Sequence, residues 1–134
     1  MSLYIDSSAF LKLYFDEPDS KVCADLMRGD PAWITGRHTR IEVRRNLARV
    51  LTGAKLRDKR DEFDDDWSSC EVVEVDEATC ELAVEIAEGI GVRSLDALHL
   101  AAARRVGPGT LPVLTYDLRL AQAARSLGFQ VLGA

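Results

Sequence analysis

The sequence predicts an α/β fold, a parallel sheet with helices on both faces. Three observations lead there. Short β-like runs alternate with helical patterns along the whole chain. The runs are brief and either apolar or alternating, as strands beneath helices are. The helical patterns are amphipathic, so each has one face to bury against a sheet.

The elements follow in order. Leu3 to Asp6 reads as the first strand and Ala32 to Thr35 as the second. Val43, Leu47, Val50 and Leu51, at i, i+4, i+7 and i+8, mark an amphipathic helix in a basic stretch. Asp61 to Asp66 carries five acids in six positions and is followed by Trp67; it forms the end of an exposed helix beginning after Lys55. Glu71 to Val75 is the third strand. Thr79, Leu82, Ala83, Ile86, Ala87 and Ile90 form the next stripe, with Glu77, Glu81, Glu85 and Glu88 facing away. Ser94 is positioned to cap a helix from Leu95 to about Val106, stopped by Gly107-Pro108-Gly109. Pro112 to Thr115 is the fourth strand, a helix after Asp117 ends at Gly128, and Phe129 to Leu132 is the fifth strand.

At 134 residues, with no internal repeat and no long linker, the chain is expected to form one domain over 1–134. Hydrophobic residues make up 47% and charged residues 29%, the balance of a soluble globule rather than a disordered or membrane chain. No apolar run reaches the ~18 residues of a membrane span. Met1 to Asp6 enters a strand without a basic stretch and apolar core, so a cytoplasmic location is expected. Cys23, Cys70 and Cys80 lack Cys-x-x-Cys spacing, which argues against a disulfide framework or zinc site and leaves them as packing residues. His38 and His99 are too few and too far apart in sequence to announce a metal site.

The net charge of −5 divides unevenly. Residues 37–60 hold nine Lys or Arg against Glu42 and Asp58, whereas residues 61–88 hold twelve acids and no Lys or Arg. This pattern predicts either a basic face for a polyanion or two helices of opposite sign packed together; charge alone does not choose.

Four acids carry the functional reading. Asp6 ends the first strand and Asp117 follows the fourth by two residues; parallel strands deliver both to one sheet edge, where such folds gather function. Asp96 lies in the first turn of its helix, and Glu42 near the start of the basic helix. Taken singly, each has a plain alternative. Asp6 and Asp117 would cap helices, Asp96 would favour a helix N-terminus, and Glu42 would pair with Arg45 or Arg49. Taken together they need a cation, since two like charges 4 Å apart cost ~4 kcal/mol at an effective dielectric of about 20. An all-oxygen set favours Mg²⁺ or Mn²⁺, ions that activate water for phosphodiester hydrolysis.

Tyr4-Ile5-Asp6-Ser7-Ser8-Ala9, Ile41-Glu42, Ser94-Leu95-Asp96-Ala97-Leu98-His99-Leu100-Ala101 and Leu114-Thr115-Tyr116-Asp117-Leu118-Arg119-Leu120-Ala121 together resemble, in order, the four motifs of the PIN-domain family. The resemblance covers essentially the whole chain and is closest in style to VapC-type ribonuclease toxins of bacterial toxin-antitoxin pairs. It implies a three-layer α/β/α domain with strand order 3-2-1-4-5. It also implies that Asp6, Glu42, Asp96 and Asp117 bind Mg²⁺ or Mn²⁺, with Thr115 as the hydroxyl residue beside them. By the same resemblance the substrate is structured RNA such as tRNA or rRNA, the protein is a homodimer, and a cognate VapB-like antitoxin inhibits it by inserting a tail into the site.

Around these acids, Arg37, Arg40, Arg44, Arg45 and Arg49 are candidates for RNA backbone contacts, with a solvated helix surface as the alternative. Tyr116 is a candidate base-stacking residue, and otherwise packs. His99, three positions after Asp96, reads as a buried, hydrogen-bonded residue ahead of a proton-transfer group. Trp33 and Trp67 belong to core or dimer packing. A basic antitoxin tail would offer an Arg to the carboxylates where metal sits. An aspartate-dependent phosphatase would carry a second Asp at position 8, which is Ser8; a receiver domain would need an acidic pair at the first strand and a Lys at the last. A non-catalytic PIN-like scaffold, binding RNA or protein, remains an alternative that metal removal would leave unchanged.

Overall fold

The computed structural model describes residues 2–107 and 111–134. Five strands form one parallel sheet of order β3-β2-β1-β4-β5: β1 (Ser2–Ile5), β2 (Ala32–Gly36), β3 (Glu71–Val73), β4 (Val113–Thr115) and β5 (Val131–Gly133). All five expected strands are present, and the strand order is the expected one. The fifth begins two residues later than its sequence pattern suggests, because Phe129 is buried in the core before the sheet is reached.

Seven helices complete the described residues: α1 (Ser7–Lys12), α2 (Ser20–Arg28), α3 (Arg37–Val50), α4 (Gly53–Ser68), α5 (Glu77–Ile90), α6 (Ser94–Val106) and α7 (Leu118–Ser126). Strand alternation sorts the core into two layers. Leu3, Ile5, Trp33 and Leu114 face Phe10 of α1, Met27 of α2, Leu47 of α3 and Phe63 of α4. Tyr4, Ile34 and Val113 face Ile86 of α5, Leu100 of α6 and Leu120 of α7. The result is the expected three-layer α/β/α arrangement.

Some local expectations are corrected. Ser94 is the first residue of α6 rather than its cap; Arg93 occupies the N-cap without a side-chain bond. Val50, the last residue of α3, points into solvent at 57% exposure, while Leu51 beside it packs against the core. Gly107 closes α6 as expected, while Pro108 and Gly109 of the anticipated stop lie outside the described residues. Trp33 is buried and Trp67 packs against the same cluster, so both serve the core. Cys23 is buried, but Cys80 is exposed on α5 and packs nothing. No described helix is long and apolar enough to cross a membrane.

Candidate active site

The parallel sheet directs β1, β2 and β4 to the same edge, and each is followed by a helix that begins there. Asp6 leaves β1 with extended backbone and caps α1, accepting the Ala9 N–H at 2.9 Å. Asp117 caps α7 in the same way, accepting from Arg119 and Leu120. The capping alternatives are therefore correct for both residues, and they do not compete with a functional role. A cap uses one carboxylate oxygen and fixes where the other points.

Asp6 is 2% exposed and heavily bonded. Besides Ala9, it accepts from the Ser8 hydroxyl at 2.8 and 2.9 Å and from the Thr115 hydroxyl at 2.6 Å. Thr115 in turn accepts the Asp117 N–H at 3.0 Å, and Ser8 accepts the Tyr116 N–H at 2.9 Å. These bonds tie the end of β1 to the end of β4. Burial pushes the Asp6 carboxyl above its ordinary value of 3.8, against the pull of His99 and of the bonds from Thr115, Ala9 and Ser8. A nearby cation would restore its charged form.

Asp96 is 7% exposed in the first turn of α6, where the helix end favours negative charge. Arg93, one turn earlier, reaches it at 3.4 Å and also reaches Asp117 at 3.8 Å. One guanidinium thus bridges acids from two different motifs.

Glu42 projects from α3 and is held at 2.8 Å by His99 Nε2, not by the Arg45 or Arg49 pairing that helix spacing allows. Burial pushes the Glu42 carboxyl up, but the hydrogen bond and electrostatic pull of His99 more than offset this and hold it below 4.5. His99 is 3% exposed and meets the Tyr4 hydroxyl at 2.8 Å through Nδ1. Burial raises the Tyr4 pKa well above 10.0, so the phenol keeps its proton. Tyr4 and Glu42 thus hold the two ring nitrogens of His99 between them. His99 is therefore the buried, hydrogen-bonded residue its position on α6 suggested.

The acids are linked through these partners rather than in mutual contact. Thr115 joins Asp6 to Asp117 and Arg93 joins Asp117 to Asp96, while Glu42 is bonded to His99. Among the described residues, the tight set of metal-ligand types is another one: His38, Glu42 and His99 offer ligand atoms within 4.8 Å of one another. The two histidines, 61 positions apart in the chain, pack with ring centroids 4.2 Å apart and planes inclined at 47°. Sequence spacing could not reveal this, because the first turn of α3 and α6 meet only in the folded protein. Burial lowers the His38 pKa from 6.5 to about 4.

The basic helix is partly neutralised. Arg40 and Arg44 pair with Asp64 of α4 at 2.9 and 3.5 Å, so for these two the packing of oppositely charged helices holds. Arg37 pairs with Glu74 at 2.6 Å. Arg45 and Arg49 are exposed and make no ion pair with the described residues. Tyr116 is half-buried against the core, and the Lys12 ammonium lies 5.2 Å from its ring centroid, which leaves less of the ring for a base.

As a donor set, Asp6, Glu42, Asp96 and Asp117 offer only oxygens, and the two most buried lack solvent to offset their charge. That chemistry fits a hard divalent ion such as Mg²⁺ or Mn²⁺.

Comparison with known proteins gives a consistent picture. The PIN domain family profile matches residues 3–126. Ribonuclease VapC45 of Mycobacterium tuberculosis is 34% identical over 137 residues, covering 98% of this chain and 95% of that protein. Among solved structures, VapC20 of M. tuberculosis, a sarcin-ricin loop cleaving toxin, superposes with a TM-score of 0.73 at 17% identity, over 90% of this chain and 94% of that one. A toxin-antitoxin complex from Klebsiella pneumoniae gives 0.71 at 15% identity, over 98% and 96%.

Proposed function

The chain belongs to the PIN domain family, and from that premise we propose that it is a metal-dependent endoribonuclease of the VapC type. Its substrate is structured cellular RNA, tRNA or rRNA, and it works in the cytoplasm. Asp6, Glu42, Asp96 and Asp117 hold Mg²⁺ or Mn²⁺. The observation that carries this reading is Asp6: a carboxylate 2% exposed at the sheet edge, and connected through Thr115 and Arg93 to two further acids.

When bound, the ion supplies Lewis acidity and a water of lowered pKa for phosphodiester hydrolysis. The chain's own residues do the positioning. Ser8, Ala9 and Thr115 fix Asp6, so its orientation does not depend on the ligand. Glu42, now bonded to His99, and Asp96 and Asp117, now bridged by Arg93, would supply the remaining oxygens. Arg45 and Arg49, free of acidic neighbours among the described residues, contact RNA phosphates, each adding to a salt-dependent affinity.

The same pocket supports regulation by a VapB-like antitoxin, in keeping with the Klebsiella complex. Arg93 already sits on two of the carboxylates, so a guanidinium is a suitable occupant. A partner's arginine would close the site without unfolding it. We further propose a homodimer; Val84, Ile90 and Leu95 leave apolar surface on α5 and α6 for a second copy to cover.

The test is incubation of partner-free protein with total RNA and Mg²⁺ or Mn²⁺, beside Asp6→Asn and Asp96→Asn. Cleavage by the wild type alone, abolished by EDTA, is expected. Cleavage that persists in EDTA, or equally in both variants, overturns the mechanism.

A further inference from the structure

His38 is 7% exposed, and neither of its ring nitrogens has a hydrogen-bond partner. Buried polar atoms are paired in the great majority of cases, and one ring with both nitrogens unpaired calls for an explanation. The ring is held firmly in this condition. It packs against His99 at a 47° tilt and also lies against Gly36, where a Cβ would come within 2.5 Å of His38 Cε1 and 2.7 Å of Nδ1. Residue 36 has an extended backbone open to any side chain, so the restriction there is space for the imidazole.

We propose that His38, Glu42 and His99 form a binding site for an imidazole-preferring divalent ion, Zn²⁺, which adjoins the carboxylate site for Mg²⁺ or Mn²⁺ and competes with it for Glu42. The ligand atoms lie within 4.8 Å of one another, and the His99–Glu42 pair is already at 2.8 Å. Zinc bonds of about 2.0–2.1 Å set tetrahedral ligand atoms about 3.3–3.4 Å apart, between the present 2.8 Å and 4.8 Å, so binding opens the His99–Glu42 pair slightly, displaces the proton between them and draws His38 closer. Two histidines and one carboxylate with a fourth position for water are a recurrent zinc ligand set. The surroundings suit it as well. A zinc-bound imidazole donates its other N–H to an oxygen, and the Tyr4 hydroxyl stands 2.8 Å from His99 Nδ1. Hard Mg²⁺ has no preference for such a pair of nitrogens, whereas zinc does.

The site does not depend on the nuclease reading, and its test uses no RNA. Purified full-length protein is loaded with one equivalent of Zn²⁺ in excess Mg²⁺, and the zinc environment is read by X-ray absorption. The expected spectrum has two imidazole nitrogens per zinc, His38→Gln loses one and binds zinc at least tenfold more weakly, and Asp96→Asn keeps both. An all-oxygen shell, failure of the wild type to retain zinc, or loss of zinc in Asp96→Asn overturns the proposal. Because the wild-type spectrum alone decides the ligand type, a poorly folding variant does not obscure the answer.

Discussion

The Thr115 hydroxyl donates a 2.6 Å hydrogen bond to Asp6, 109 residues earlier in the chain. This bond joins the ends of two adjacent parallel strands and orients a carboxylate that is almost wholly out of solvent. Replacing the hydroxyl with a methyl keeps the β-branched shape and leaves a buried acceptor short of one donor. Thr115→Val is expected to cost about 1–3 kcal/mol of stability and to weaken Mn²⁺ binding by roughly 10- to 100-fold. Denaturant unfolding and metal titration check this, with Thr115→Ser as the rescue. A variant with wild-type metal affinity would mean that Thr115 does not orient the site.

Arg93 competes with a divalent ion for Asp96 and Asp117. Its side chain is 60% exposed, so solvent screens the pair, and an exposed pair contributes at most about 1 kcal/mol. Arg93→Gln should therefore tighten Mn²⁺ binding by only about two- to fivefold. Weaker binding in the variant would show that Arg93 supports the site rather than occupying it.

Alkaline pH should destabilise the fold through one buried thiol, Cys23, and one half-buried thiol, Cys70. Burial pushes Cys23 from 9.0 up to about 11, and Cys70 from 9.0 up to about 12. Across those intervals the folded protein keeps protons that the unfolded chain has released. Their stabilising effect is complete below pH 9.0 and is lost as pH rises toward the folded values. Between about pH 8 and about pH 10.5 the loss is roughly 2 kcal/mol per thiol. Urea midpoints of the wild type should fall more steeply over this range than those of Cys23→Ala/Cys70→Ala; parallel curves would contradict it.

Phe63 is the deepest residue of the acidic helix and meets Phe10 and Tyr14 edge-on at 5.7 and 5.8 Å. Phe63→Ala removes the aromatic contacts that seat α4 against α1 and should cost about 3–5 kcal/mol. A loss under about 1 kcal/mol would mean that α4 is held by its surface ion pairs instead.

The sheet was readable because each strand is a short apolar run bounded by polar residues, and parallel order follows from the helices between them. Helix α2 gave less away. Its Val22, Cys23, Leu26 and Met27 do recur at helical spacing, but the segment is only nine residues long and buries just Cys23 and Met27. Asp6 and Asp117 could be assigned to one edge because strand ends and caps are local features. Arg93 bridging two acids, His99 holding Glu42 and the His38–His99 contact were not legible. Each depends on which side chains meet between elements distant in sequence. The charge division also left Arg40 and Arg44 open, and only the packing of α3 on α4 pairs them with Asp64.

Whether the separated acids act as one divalent-ion site is tested most directly by a Mn²⁺ binding isotherm, with free ion read by electron paramagnetic resonance. Partner-free wild type should bind Mn²⁺ saturably. Asp6→Asn and Asp96→Asn, each removing a charge from a different element, should both bind at least about tenfold more weakly. Coincident isotherms for the three proteins would contradict a shared metal site.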